Sequence, residues 1–148
     1  MKFIIVQNQQ QLEEAFLIRK KVFVEEQNVS LEEEIDQYEE DATHFLLYSD
    51  QDQPIGAGRF RVIDEFGKVE RICVLTEQRG TGAGKHIMES IEAYAHEAGI
   101  NKLKLNAQTH AIPFYEKLGY EIVSEEFLDA GIPHRTMVKT LMVRTITF

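Results

Sequence analysis

The chain has 148 residues, of which 43% are hydrophobic, together with a single cysteine and a formal net charge of −9. This length favours one domain with one core, and the composition argues against disorder. No apolar run approaches the roughly 20 residues that span a bilayer and no signal peptide is evident, so we expect a single cytoplasmic domain over residues 1–148 that does not enter membranes.

The acidic residues are unevenly distributed. Residues 24–41 contain nine acids and no lysine or arginine, whereas the other sixteen acids balance the sixteen basic residues. A basic face for nucleic acid is therefore not expected. The acidic segment is either a solvated surface or a region whose field attracts a cationic partner.

The first half of the chain predicts a long helix among strands. Strands are predicted over residues 2–6, 43–49, 55–63 and 68–75, and apolar residues at intervals of three and four predict a helix over residues 9–27. The three strands after the helix, 43–49, 55–63 and 68–75, follow one another as a meander. This order favours a sheet with helices packed on it.

Two details of these strands are informative. Gly56 and Gly58 lie on one face of their strand, which indicates the close approach of another element. Alternation along residues 68–75 predicts that Glu70 and Arg71 point to opposite faces of the sheet.

The second half alternates helices and strands. A helix stripe ends near Gly99, strand 101–107 follows, and "AIPFYEKLGY" (111–120) predicts a short helix. Residues 121–128 and 134–143 predict final strands on either side of the turn "DAGIP". The order of elements predicts an α+β fold, a mixed, mostly antiparallel sheet with helices on both faces.

The segment "EQRGTGAGKH" (77–86), here called the glycine loop, lies between a predicted strand and a predicted helix. Such a turn places backbone N–H groups at the positive end of a helix dipole, where an anion binds. A nucleotide P-loop is disfavoured because Arg79 replaces its first glycine and His86 its hydroxyl residue. The dinucleotide pattern G-x-G-x-x-G also fails, since its third glycine would be Lys85 or Ile87.

The pattern R-x-x-G-x-G is met by Arg79, Gly82 and Gly84. Together with "FYEKLGY" (114–120) and the order of elements along the whole chain, it resembles the acyl-CoA loop of the GNAT N-acetyltransferase superfamily. The stretches "IRKKVFVEEQ" (18–27) and "AGIPHRTM" (130–137) are similar to the ElaA-like branch of that superfamily.

The resemblance implies transfer of an acetyl group from acetyl-CoA to a primary amine in a direct ternary complex, without a metal. It implies that pantetheine pairs with the strand before the loop and that strands 68–75 and 102–106 splay to admit it. It also indicates a soluble enzyme, in a superfamily in which homodimers are common. The implied cofactor-binding residues are Ile72, Cys73, Val74, Arg79, Gly80, Thr81, Gly82, Ala83, Gly84 and Lys85. His110 stands where relatives often have asparagine, so the resemblance assigns no cofactor contact to this position.

Acetyl transfer needs a base for the amine and an acid for the departing thiolate. The resemblance assigns the acid to Tyr115, and Glu70 is the favoured base because it precedes the pantetheine-binding residues on the same strand. Cys73 lacks an evident histidine partner, so a covalent mechanism is disfavoured.

The acceptor is expected to be a small-molecule or peptide amine, cationic if the acidic segment attracts it. Four further side chains are predicted to line its entrance, and these are Glu34, Asp36, His44 and His134. The alternative from another class is a non-catalytic acyl-CoA-binding or protein-interaction module, which retention of Tyr115 disfavours.

Overall fold

The computed structural model describes residues 1–141, and residues 142–148 lie outside the described part. Its strands are β1 (Lys2–Ile5), β2 (Thr43–Tyr48), β3 (Pro54–Ile63), β4 (Phe66–Val74), β5 (Lys102–Gln108), β6 (Glu121–Ile122), β7 (Phe127–Asp129) and β8 (Ile132–Thr140). Its α-helices are α1 (Gln9–Arg19), α2 (Leu31–Glu34), α3 (Ala83–Glu97) and α4 (Ile112–Lys117). A π-helical segment spans Lys20–Glu26, and 3₁₀ turns span Thr76–Gln78 and Thr109–Ala111.

The described residues form two compact units, a first unit of residues 1–61 and 69–90 and a second unit of residues 62–68 and 91–141. The strand order is β1-β2-β3-β4 in the first unit and β4-β5-β8-β6 in the second, where β7 also pairs with β8. β4 and β5 are parallel, whereas β1–β2, β2–β3 and the pairs made by β8 are antiparallel. The predicted α+β fold with a mixed, mostly antiparallel sheet is confirmed.

The core of the first unit joins α1 and the π-helical segment to the sheet. Its buried members are Ala15, Ile18, Val22, Leu46, Ala57 and Cys73. Gly56 confirms the predicted close approach, because a Cβ there would lie 2.7 Å from Ile87 Cδ1 and 3.1 Å from the Cys73 carbonyl oxygen. Because Gly56 has no side chain, α3 and β4 can pack tightly against β3 at this position.

The helix predicted over residues 9–27 changes type midway. α1 ends at Arg19, and the chain continues as a π-helix whose wider turn still buries Val22. The short helix α2 was not predicted, although its signal is present. The Ser30 hydroxyl caps the helix by accepting a hydrogen bond from the Glu33 N–H, and it donates one to the Glu33 carboxylate. The S-x-x-E spacing of residues 30–33 is the sequence signal of such a helix start.

In the second unit, the predicted helix ends are confirmed. Gly99 and Gly119 adopt positive φ values of 77° and 95° just beyond α3 and α4. The predicted turn after β7 is also confirmed, since Ala130 and Gly131 both adopt positive φ, as a two-residue hairpin turn requires.

The single strand predicted over residues 121–128 is wrong, because this stretch is divided into β6 and β7. Ile122 pairs with Met137, and Phe127 pairs with His134. The chain therefore advances five residues from β6 to β7 while it advances only three along β8. The Ser124 hydroxyl accepts the Thr136 N–H at 2.8 Å within this interruption. The last predicted strand is observed as β8, and the end of that prediction, residues 142–143, lies outside the described residues.

Candidate functional site

The glycine loop joins β4 to α3 in the first unit. Gly80 and Gly82 adopt φ values of 80° and 87°, and neither has a heavy atom within 4 Å of the position that a Cβ would occupy. The His86 N–H donates to the Gly82 carbonyl at 3.0 Å, which forms the first turn of α3. The loop therefore presents open, exposed backbone at the N-terminus of a 15-residue helix.

Cys73 lies on the strand that leads to this loop, between the partly exposed Ile72 and Val74. The residue is 5% exposed and packs in the apolar core. Burial raises the pKa of Cys73 to about 12, so the thiol is neutral at physiological pH. A buried neutral thiol is a poor nucleophile, as the sequence suggested.

Arg19 is the centre of a buried ion-pair cluster in the first unit. Its Nε donates to Glu34 Oε1 at 2.6 Å and its Nη2 to the Glu34 carbonyl at 2.9 Å. Nη1 and Nη2 donate to the two carboxylate oxygens of Glu39 at 2.9 and 2.7 Å. The side chains of Arg19 and Glu34 are 0% and 1% exposed, so both charges depend on this pairing.

Arg59 extends the cluster towards β4. Its guanidinium donates to both oxygens of Asp36 at 2.7 and 3.0 Å, and its Nε donates to Glu70 Oε1 at 3.2 Å. Arg61 also donates to the two carboxylate oxygens of Glu70, at 2.6 and 3.0 Å. The favoured base therefore has both carboxylate oxygens hydrogen-bonded to arginines.

Arg71 also belongs to this ion-pair cluster, and its backbone has a left-handed conformation that the sequence did not predict. It has a φ of 56°, which is uncommon for a residue with a Cβ. Its guanidinium donates to the carbonyls of Glu33 and Glu34 and to Asp36, each at 3.2 Å. The prediction that Glu70 and Arg71 point to opposite faces is therefore wrong, because the left-handed residue interrupts the strand alternation and both side chains reach one cluster.

His44 lies beside these charges and is 6% exposed. Its Nε2 lies 2.8 Å from the Glu39 carbonyl, and its Nδ1 has no hydrogen-bond partner among residues 1–141. Burial and the positive charges of Arg19 and Arg59 lower the pKa of His44. For Glu39, burial alone would raise the carboxyl pKa, but hydrogen bonds and charge from Arg19 and Arg59 outweigh it and lower that pKa to about 2.

These shifts predict a loss of stability in acid. The Glu39 pKa falls from 4.5 to about 2 on folding, so its stabilisation is present above pH 4.5 and disappears between pH 4.5 and 2. The pKa of His44 is lower in the folded protein than its ordinary value of 6.5, so the unfolded chain takes up this proton first. His44 therefore adds a further loss of stability that begins as the pH falls below 6.5. We expect Glu39 to contribute roughly 3 kcal/mol at neutral pH.

Urea unfolding of the protein and of Glu39→Gln, at intervals from pH 7 to pH 2.5, measures this contribution. The Gln variant is expected to be less stable at pH 7 and to lose less free energy of unfolding below pH 4.5. Parallel pH profiles for the two proteins would show that Glu39 is not the group responsible.

Tyr115 and His134 belong to the second unit. Tyr115 is half-buried on α4, and its ring lies edge-on to Phe114 and Tyr120 at centroid distances of 5.0 and 5.9 Å. His134 is 8% exposed, stacks on Phe127, and has Nδ1 2.6 Å from the Ile132 carbonyl. Its predicted contact with an acceptor remains a prediction.

The acidic segment is partly compensated by arginines that are distant in sequence. Of its nine acids, Glu26, Glu34, Asp36 and Glu39 each form an ion pair with an arginine. The acids of this segment that point to solvent are Glu25, Glu32, Glu33, Glu40 and Asp41. Sequence reasoning missed this compensation, and the available signal was Arg19 itself, a charged residue on the apolar stripe of a helix.

Within residues 1–141, no group of three or more His, Cys, Asp or Glu side chains is arranged to hold a metal ion. Nor does any helix of that part of the chain have the length and apolar character needed to cross a membrane.

Comparison with known proteins identifies the family. The sequence profile of the GNAT acetyltransferase domain matches residues 6–141. The uncharacterized N-acetyltransferase YjcF of Bacillus subtilis is 52% identical over 140 residues, which cover 94% of this chain and 99% of that protein.

Solved structures agree. Escherichia coli ElaA is 26% identical with a TM-score of 0.81, over 93% of this chain and 98% of that one. An aminoglycoside 6′-N-acetyltransferase complexed with coenzyme A has the same fold, with a TM-score of 0.76 at 18% identity, over 99% of this chain and 100% of that one. With its glycine loop, its mixed sheet and these similarities, the chain belongs to the GNAT family and is an acetyl-CoA-dependent acetyltransferase.

Proposed function

We propose that the protein transfers an acetyl group from acetyl-CoA to a primary amine by direct attack in a ternary complex. The observation that carries this proposal is the glycine loop. Its backbone is exposed, Gly80 and Gly82 leave open the space that side chains would fill, and α3 begins immediately after them. These features suit a pyrophosphate group, which needs close backbone approach and the positive end of a helix.

The chain's residues divide the task of binding the donor. Residues 79–85 would hold the pyrophosphate, and Ile72, Cys73 and Val74 would pair with the pantetheine through their backbone. Bound acetyl-CoA supplies a thioester carbonyl carbon for the attack. The backbone N–H of Cys73 or Val74 is the proposed donor to the oxygen that becomes negatively charged during transfer.

The amine must lose a proton before it attacks. For a lysine-like amine with pKa ~10.4, neutralisation at pH 7 costs roughly 4.6 kcal/mol. Glu70 is the proposed base, acting through a water molecule, because a carboxylate is too weak to deprotonate an ammonium group directly. Its hydrogen bonds with Arg59 and Arg61 fix the orientation of its carboxylate.

After the nitrogen attacks, the C–N bond forms, the C–S bond breaks, and the thiolate takes a proton. Tyr115 is the proposed donor of that proton. Its ring contacts Phe114 and Tyr120 edge-on, and its backbone carbonyl accepts the Tyr120 N–H at 3.1 Å.

The acceptor is proposed to be a cationic amine, a class supported by the exposed acids of residues 24–41. Glu34, Asp36, His44 and His134 are the proposed side chains at the acceptor entrance. Of these, Asp36 is the best candidate for direct contact, because its side chain is 24% exposed and the other three are at most 8% exposed.

Substitution of Gly82 tests the assignment of the loop. Gly82→Asp is expected to weaken CoA binding at least about 100-fold, since the new carboxylate would occupy the open space and repel the pyrophosphate. Gly82→Asn is the matched control, because asparagine has the same size and tolerates positive φ but carries no charge. ATP should bind the unaltered protein far more weakly than CoA.

Isothermal titration calorimetry of the unaltered protein and both variants gives these affinities. Asparagine is expected to cost less affinity than aspartate, and the difference between the two measures the charge repulsion, since both side chains fill the same space. Near-normal CoA affinity in Gly82→Asp would remove the loop from its assigned role.

A further inference from the structure

The glycine loop receives little support from packing. Gly80 and Gly82 have no neighbouring heavy atoms on the side where a Cβ would lie, and Thr76, Glu77, Arg79 and Thr81 are exposed. Two glycines at positive φ also have large conformational freedom when unrestrained. The shape of this loop therefore depends on hydrogen bonds more than on the core.

Most of the side-chain hydrogen bonds made by the glycine loop and the 3₁₀ turn before it are accepted by Glu26. Arg79 donates from Nη1 and Nη2 to the two carboxylate oxygens of Glu26 at 2.8 and 2.9 Å, and the Thr76 hydroxyl donates to the same carboxylate at 2.7 Å. The Arg79 Nε donates to the Val74 carbonyl at 3.1 Å. Glu26 thus holds Thr76 in the 3₁₀ turn and Arg79 in the glycine loop, and Arg79 in turn holds the end of β4.

Glu26 is distant from the loop in sequence. It is the last residue of the π-helical segment and lies 53 residues before Arg79. The hydrogen bonds from Arg79 and Thr76 lower the pKa of Glu26, so the carboxylate is charged at physiological pH. A two-pronged arginine–carboxylate pair also fixes orientation better than a single contact.

We propose that Glu26 is a positioning residue for acetyl-CoA, holding the glycine loop in its pyrophosphate-binding shape through Arg79 and Thr76. The inference rests on the proposed function of the loop. Because Glu26 binds the guanidinium of Arg79, this arginine acts chiefly by shaping the loop backbone. A loop ordered in advance avoids the entropy cost of ordering its backbone on binding.

Removal of the carboxylate tests the proposal. In Glu26→Ala, the Kd for CoA is expected to rise about 5- to 10-fold. The KM for acetyl-CoA should rise similarly, whereas kcat at saturating acetyl-CoA should be retained. Glu25→Gln is the control, since it neutralises an exposed acid of the same segment and should change the Kd less than about twofold.

A double-mutant cycle tests whether Glu26 acts through Arg79. In an Arg79→Gln background, Glu26→Ala should add little further loss of CoA affinity. An unchanged Kd in the single variant, or full additivity in the cycle, would overturn the proposal. A tighter Kd would also overturn it, because it would mean that Glu26 competes with the pyrophosphate for Arg79.

CoA binding by the unaltered protein distinguishes a failure of this inference from a failure of the proposed function. If the unaltered protein does not bind CoA, the proposed function fails. If it binds CoA and Glu26→Ala binds equally well, only the role of Glu26 fails.

Discussion

Tyr115→Phe is expected to lower kcat by about 10²- to 10⁴-fold with little change in the KM for acetyl-CoA. The substitution keeps the ring contacts with Phe114 and Tyr120 and removes only the hydroxyl. If that hydroxyl delivers the proton to the departing thiolate, its loss affects the chemical step and not donor binding. The rate of the unaltered enzyme should also fall at high pH, because a tyrosinate has no proton to donate, and the variant should lack this fall.

The chain offers a matched control in Tyr120→Phe. Tyr120 belongs to the same short motif, is 2% exposed, and its hydroxyl has no hydrogen-bond partner among the described residues. Removing that hydroxyl should leave kcat within about threefold of the unaltered enzyme. The measurement is a pH–rate profile of thiol release for the three proteins with one good amine acceptor. A Tyr115→Phe enzyme within threefold at every pH would show that water protonates the thiolate.

Arg19→Met is expected to reduce the free energy of unfolding by about 3–5 kcal/mol. Methionine keeps much of the side-chain volume but leaves the carboxylates of Glu34 and Glu39 buried without their principal partner. A typical domain has only ~5–15 kcal/mol of stability, so this loss is large enough to unfold part of the population. Arg19→Lys should also be destabilising, since an ammonium group cannot reproduce the paired hydrogen bonds to Glu39.

Lys20→Met is the control for this experiment, because Lys20 is the neighbouring basic residue and is exposed. Its effect should stay within about 0.5 kcal/mol. Urea unfolding monitored by circular dichroism gives the three values. A loss below about 1 kcal/mol for Arg19→Met would contradict the view that the cluster depends on this arginine.

Much of the architecture could be predicted from the sequence, because local chemistry dictates it. Gly99 and Gly119 end helices, where a left-handed residue is needed, and "DAGIP" forms a hairpin turn for the same reason. The glycine loop was predictable because its three glycines and its arginine form a short pattern between a strand and a helix. Such features depend on a few adjacent residues, so they can be predicted without knowing the tertiary structure.

The parts that could not be predicted depend on residues far apart in sequence. Arg19 meets Glu34 across 15 positions, and Arg71 meets Asp36 across 35. A count of charges along residues 24–41 therefore suggests an uncompensated acidic segment where folding pairs at least four of its acids with arginines. The left-handed conformation of Arg71 was equally hidden, because arginine in a strand pattern normally predicts extended backbone.

The pairing of β8 with β5, β6 and β7 has a consequence for biosynthesis. β5 is translated well before β8, and at about 5–20 residues per second the ribosome needs roughly 2–6 s to add the residues between the ends of the two strands. During that interval the edge of β5 that later receives β8 has no partner from its own sheet. Because the most recently added residues are still inside the ribosomal exit tunnel, β8 leaves the ribosome only around chain release. The newly released chain is therefore the species whose β5 edge is open to pairing with another chain, until β8 docks on it.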